Sequence, residues 1–376
     1  MKKVFTAIIV CAILALMALG YVDTASHRSH SAAAGEETVD AQKIIFEHLG
    51  DSYGWELPFN HTRRIPLPII VRSHDGSWHC FSSARLMNGA TYEGFKIAEG
   101  GDHNNRVVEV LDDGTEYRPW DFSITKNVAG IFIAAIIVLL LVMRLRNWYR
   151  RNGLKAPRRF TGALEMVVDF VYTGTIRPIM GAEAPKYAPY LLTVFFFILT
   201  MNLLGLIVIF PGGANLTGNL AVTLVLALCT FVVTNFTGTR HYWKEMFWPE
   251  VPTALKCPVP LMQVIEIFGI FTKPIALMIR LFANMMGGHM VVLVFMLLIF
   301  IFGSLFGVAV GAGTTVFSLL FSLFMLLLDT LVSFIQAYVF TILSTMFISM
   351  AHVHEHESKD PVDIATQGAE VANATN

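Results

Sequence analysis

From Tyr187 to Thr239 the chain runs for 53 residues without a single Asp, Glu, Lys or Arg. The whole chain is only 15% charged, and even at that density a stretch of this length would hold about eight charges, against about thirteen in a soluble globular chain. A segment so depleted is solvated by lipid rather than by water. The hydrophobic share of 55% and mean hydropathy of +0.58 agree. A soluble cytosolic enzyme is excluded, and so is a disordered chain. The chain is an integral membrane protein.

Charge adds direction. The balance is even, 27 basic against 28 acidic residues, so nothing recommends a nucleic-acid partner. The basic residues are clustered: Arg144, Arg146, Arg150, Arg151, Lys155, Arg158 and Arg159 follow the apolar run Asn127–Met143. Such a cluster stays cytoplasmic, which places the residues before the run outside. Lys2 and Lys3 ahead of the apolar run Val4–Gly20, closed by Ala18-Leu19-Gly20, read as a signal peptide covering 1–20. Cys11, Cys80, Cys229 and Cys257 share no metal spacing and no disulfide pattern, and at least three of them are expected to be small buried hydrophobes.

Residues 21–126 form the sizeable polar block and should be a small β-leaning extramembrane domain. A disordered linker is expected over His27–Glu37 and a short helix over Asp40–Leu49. Two hairpins are predicted on turn signals: Ile69–His74 with Ser77–Ser82 around Asp75-Gly76, and Val107–Leu111 with Thr115–Tyr117 around Asp113-Gly114. Residues 127–352 form the transmembrane part, an all-α membrane fold of about five spans in the mature chain. The first covers about 127–145, and a basic, partly amphipathic stretch occupies 146–186. The second is Tyr187–Phe210, ended by Pro211-Gly212-Gly213, and the third about Asn219–Thr237, with Arg240, Lys244 and Lys256 on its cytoplasmic side. Two apolar blocks remain, Leu261–Phe302 and Thr314–His352. As helices they would be about 60 Å long against a hydrocarbon core of about 30 Å. They are expected to be two long tilted helices packed as a hairpin, joined by a glycine-rich connector over Gly303–Gly313. The acidic tail, 353–376, is expected to be disordered and cytoplasmic.

Within those last two blocks stand four formal charges, Glu266, Lys273, Arg280 and Asp329, with His289 and Gln336 as further polar groups. Each charge costs about 2.5–3.5 kcal/mol to insert at mid-membrane and marks an ion pathway or a buried pair. Glu266, Lys273 and Arg280 recur every seven residues, so they lie within about 40° of one helical stripe. Asn284 follows four residues after Arg280, and His289 points to the opposite side. Asp329, Ser333 and Gln336 share one face of the second helix. Two readings of Arg280 stand: an ion pair with Asp329, or a fixed cation on an ion path. As an arginine it keeps its proton and cannot relay one. Asp329, His289 and Glu266 can change protonation and are the relay candidates.

The stretch Thr272–His289, TKPIALMIRLFANMMGGH, resembles the signature of subunit a of F-type ATP synthases, with Pro274, Arg280, Leu281, Phe282, Asn284 and Gly288 matching. The likeness extends to Tyr187–Gly205 with Asn202, to Asn219–Leu228 with Thr223, and to Ile335–Ala351 around Gln336, covering about 125–355 in all. The resemblance implies a stator subunit with two proton half-channels against a ring of c subunits. Arg280 would separate the half-channels and Gln336 would lie across from it. Glu266, His289, Asp329 and Asn284 would be half-channel groups, with Asn202, Thr223, Ser333 and Lys273 as supporting polar residues. It also implies b subunits of the peripheral stalk as partners, a bacterial inner membrane, a periplasmic N-terminal domain, and a non-catalytic role.

The pattern departs from the family at three positions, one of them Gly205, which stands where some members place an acid. Many bacterial members carry a carboxylate where His289 stands and a His where Asp329 stands, so the two types are exchanged here. No cofactor is expected, since no phosphate-binding glycine loop with its lysine occurs. No metal is expected either: His352, His354 and His356 read as a solvated helix end rather than as ligands. The alternative function is a stand-alone ion-coupled transporter, which would require an internal repeat of broken helices; a second copy of the Arg280 motif is absent.

Overall fold

The computed structural model describes residues 51–57, 60–98, 105–111, 115–153, 155–207, 213, 215–247, 261–306 and 308–352. The signal peptide, the linker, the Asp40–Leu49 helix, Cys11, Cys257, Lys256 and the tail after His352 lie outside these residues, as does the side chain of Glu266.

Among the described residues eight short strands build the extramembrane part: β1 Gly54–Leu57, β2 Asn60–Pro66, β3 Pro68–Arg72, β4 Trp78–Ser82, β5 Phe95–Ile97, β6 Val107–Val110, β7 Glu116–Tyr117 and β8 Trp120–Asp121. They form a β1-β2 ribbon and two three-stranded sheets, β4-β3-β8 and β5-β6-β7. Strand alternation puts Ile69, Val71 and Phe81 into one core with Tyr53, Leu86, Phe95 and Val107. Both predicted hairpins form. In the first, pairing begins at Arg72↔Trp78, so Ser73–Ser77 make a five-residue loop instead of a two-residue Asp-Gly turn. Gly76 takes φ +84° there, in the left-handed region, and donates its N–H to Ser73 C=O. The loop is longer because the Ser73 hydroxyl and the His74 backbone N–H both bind the Glu109 carboxylate, at 2.5 and 3.0 Å. In the second, β6 pairs with β7, and Leu111 N–H reaches Thr115 C=O.

The rest of the described chain is helical: α1 Lys126–Asn152, α2 Phe160–Val171, α3 Arg177–Met180, α4 Ala184–Leu206, α5 Leu220–Thr237, α6 Arg240–Phe247, α7 Leu261–Phe306 and α8 Val308–Ala351. Five helical stretches among the described residues are long and apolar enough to cross a membrane. A π-turn, Tyr172–Ile176, and a 3-10 turn, Gly181–Glu183, make 160–206 nearly continuous helix. The second span therefore starts ahead of Tyr187, and it stops at Leu206 rather than Phe210. Gly213 N–H returns to Leu204 C=O at 3.2 Å and closes that end. α7 has 46 residues and α8 has 44. The connector expected over Gly303–Gly313 is instead helix up to Phe306 and again from Val308. Lipid offers the backbone no hydrogen bonds, so even a glycine-rich apolar run stays helical.

The described residues fall into two compact units. One draws on Met1–Ile137, Thr200–Leu216 and Met285–Leu331, the other on Val138–Leu199, Thr217–Asn284 and Val332–Asn376. The second has a single apolar core in which Leu191, Phe195 and Ile198 of α4, Ala227 of α5, Leu277 and Leu281 of α7, and Ala337, Phe340 and Ile348 of α8 are buried together. In the first, Phe295 of α7 meets Phe321 of α8 with ring centroids 4.4 Å apart. Of the cysteines, Cys80 and Cys229 are both exposed and free, which corrects the expectation of burial. Cys80 lies on the outward-pointing side of β4 and Cys229 on the outer side of α5.

Candidate functional site

The polar residues of α7 and α8 are set by which helix face the core takes. Leu277 and Leu281, four apart, turn into the core of the second unit. That rotation leaves Arg280 on the exposed flank of α7. Its guanidinium makes no hydrogen bond or ion pair among the described residues. Asn284, one turn on, is half-buried. Lys273 is half-buried too, with Nζ 5.5 Å from the centre of the Phe347 ring of α8.

On α8 the buried face is largely polar: Ser333, Gln336, Thr341, Ser344 and Thr345 are all buried. The threonines satisfy themselves along the helix, Thr341 donating to Ala337 C=O at 2.9 Å and Thr345 to Thr341 C=O at 2.7 Å. Gln336 does not. Its Nε2 is buried without a hydrogen-bond partner among the described residues, and a buried unmet donor costs about 1–3 kcal/mol. No hydrogen bond joins it to Arg280 among those residues.

Three groups that sequence reasoning did not single out form a buried polar contact between helices. Thr230 Oγ1 of α5 lies 3.3 Å from Tyr190 Oη of α4 and 3.4 Å from Ser344 Oγ of α8. Hydroxyls are common in membrane helices, so nothing in the sequence distinguishes these; only the packing of three helices does. Beside them a cavity of about 20 Å³, room for one water, is lined by Thr230, Thr234, Asn235, Tyr242 and Lys273 among others. Thr223 is buried with its hydroxyl donated to Leu220 C=O at 3.0 Å, inside the turn that Asn219 caps through its side chain on Ala221 N–H.

In the first unit, α7 and α8 meet where Gly288 faces Asp329. A Cβ on Gly288 would stand 2.8 Å from one carboxylate oxygen and 3.0 Å from the other, so the missing side chain is what admits the carboxylate to the helix backbone. His289, adjacent to Gly288, has a buried Nε2 with no hydrogen-bond partner among the described residues. Asn202 of α4 is 1% exposed. The arrangement thus offers an exposed fixed cation on one flank of α7, and separately a carboxylate and an imidazole that can exchange protons. No group of three His, Cys, Asp or Glu able to hold a metal occurs among the described residues.

Comparison with known proteins adds the following. The ATP synthase A chain family matches residues 128–349, and a domain of unknown function (DUF8433) matches residues 44–122. The chain is similar to ATP synthase subunit a of Myxococcus xanthus (strain DK1622), with 42% identity over 258 residues, 64% of this chain and 80% of the relative. It is similar to that of Chloroherpeton thalassium (strain ATCC 35110 / GB-78), with 39% identity over 241 residues, 63% and 68% of the two chains. The likeness to ATP synthase subunit a of Anaeromyxobacter sp. (strain Fw109-5), 32% identity, extends over 348 residues, 90% of this chain and 77% of the relative.

Proposed function

Because this chain belongs to the ATP synthase A chain family, a multi-pass component of the membrane sector that couples proton transport to ATP synthesis, we propose that Arg280 is the fixed charge of its proton channel. The carrying observation is the exposed guanidinium on a membrane helix, with no partner among the described residues. A charge there costs about 2.5–3.5 kcal/mol unless something answers it. The partner with the right chemistry is a carboxylate on a neighbouring subunit, and the c subunits of the rotor ring supply one. As a carboxylate passes, the guanidinium holds it ionised; because arginine keeps its proton, no proton passes directly from one side to the other.

Asp329 and His289 are half-channel groups, the carboxylate lodged over Gly288 and the imidazole next to that glycine on α7. Gln336 flanks Arg280 with a free amide donor for the carboxylate. Glu266 and Asn284 are further half-channel groups, with Asn202, Thr223, Ser333 and Lys273 as supporting polar groups. The basic cluster Arg144–Arg159 sits in the cytoplasm and the strand-built domain in the periplasm of a bacterial inner membrane, after removal of residues 1–20. b subunits of the peripheral stalk hold the chain against rotation, and ATP chemistry belongs to other subunits.

The test is ATP-driven acidification of inverted membrane vesicles carrying Arg280→Ala, with assembly of the complex verified. Assembled complex without pumping is the expected outcome. Undiminished pumping overturns the reading.

A further inference from the structure

The β4-β3-β8 sheet has one buried face and one that meets nothing among the described residues. Arg72 pairs with Trp78 on one side and Trp120 on the other, so the three form a row across the outward face. Phe122, two residues after Trp120, returns to that face, its ring centre 5.5 Å from that of Trp78. Trp78 is 59%, Trp120 69% and Phe122 56% exposed. Among the outward positions of these strands Arg72 is the single charge, and no acid stands there.

The chain itself indicates what covers this face. β8 ends at Asp121, and the membrane-crossing α1 begins at Lys126. The joint between them is pinned to the sheet: Phe122 N–H donates to Ile70 C=O at 2.9 Å, Ile124 N–H to Pro68 C=O at 3.1 Å, and Lys126 N–H to Ser52 C=O at 2.9 Å. Counting back from Arg144, about 20 helical residues fill the hydrocarbon core and set its edge at about residue 125. Phe122 is then at most about 14 Å from the start of α1, even along a fully extended chain. The aromatic face therefore lies beside the start of α1, where Phe132 and Ile136 are exposed. Tryptophan rings and arginine are the side chains that the headgroup layer accepts, the ring at the acyl boundary and the guanidinium on phosphate.

We propose that this sheet face rests on the bilayer, with Trp78, Trp120 and Phe122 in the headgroup layer of the leaflet at the N-terminal end of α1 and Arg72 on lipid phosphate. The domain is thereby held flat on the membrane beside its own first span.

The test uses the full-length chain reconstituted in phosphatidylcholine brominated near the top of the acyl chains. Six tryptophans occur in the sequence, and Trp78→Phe/Trp120→Phe removes the two in question while keeping apolar rings. The lipid-quenchable emission should fall by about a third or more in the double variant, and the emission it removes should be protected from aqueous iodide. Arg72→Glu, which keeps every tryptophan, should lower bromolipid quenching by setting a carboxylate against phosphate. Equal bromolipid quenching in wild type and both variants overturns the proposal. Iodide access to Trp78 and Trp120 would then show the face open to water, and iodide protection would show it covered by this chain itself or by a second copy.

Discussion

Arg280 and Gly288 illustrate how one atom group fixes a position. Arg280→Lys keeps a positive charge but exchanges a guanidinium, which stays protonated, for an ammonium that loses its proton readily when desolvated. The expected outcome is loss of ATP-driven acidification with an increased passive proton leak, read in the same vesicles with the ATP hydrolysis rate as control. At Gly288 the constraint is steric, the Asp329 oxygen lying 2.8 Å from where a Cβ would be. Gly288→Val should destabilise the chain by about 1–3 kcal/mol, and Gly288→Val/Asp329→Ala should recover most of that. Thermal unfolding of the detergent-solubilised chain checks both, because it reads packing whether or not Asp329 moves protons.

At the scale of elements, the contacts between helices and between strands divide into apolar packing and a few polar ties. Thr230 ties α5 to α4 and α8, and hydrogen bonds between membrane helices average about 0.6 kcal/mol. Thr230→Val, of similar shape, should lower stability by about that amount and leave the helices intact by circular dichroism. In the strand domain Glu109 ties β6 to the β3-β4 loop. Burial works to raise its pKa, but the Ser73 hydroxyl, the His74 N–H and the His74 ring together outweigh burial and hold the carboxyl below its ordinary value. Ionised Glu109 is therefore favoured by folding. Its stabilisation is present above the unfolded carboxyl's pKa and is lost as pH falls through the lower folded one. Hydrogen-exchange protection of residues 105–111, corrected for the intrinsic exchange rate at each pH, should fall as the pH is lowered through that range, and Glu109→Gln should remove the pH dependence.

If the basic cluster after α1 faces the cytoplasm, protease added to inverted vesicles should spare residues 51–125 and cut after His352. Cleavage of both segments in intact, sealed vesicles would contradict this. A mature N-terminus at Tyr21 by mass spectrometry is the outcome expected of signal removal, and an intact Met1 or Lys2 refutes it.

The membrane class, the family and five apolar helical stretches were legible in the residues because lipid solvation acts on composition alone. A stretch without charge has no other solvent, and a backbone in lipid has no structure open to it but a helix or a closed barrel. Arg280 was equally plain, since a charge in such a stretch is costly and rare. Both hairpins were visible from Asp-Gly signals, but not the five-residue loop, which depends on Glu109 from a distant strand. Nor did the pattern reveal helix continuing through Gly303 and Gly311, the exposure of Cys80 and Cys229, or the Tyr190–Thr230–Ser344 contact. Each of these depends on how a face is turned and what stands opposite, and neither periodicity nor composition carries that information. The tertiary structure decided which flank of α7 turns Leu281 inward and leaves Arg280 outward, and that Asp329 rests against Gly288, because close packing admits one arrangement of side chains where the sequence pattern allows several.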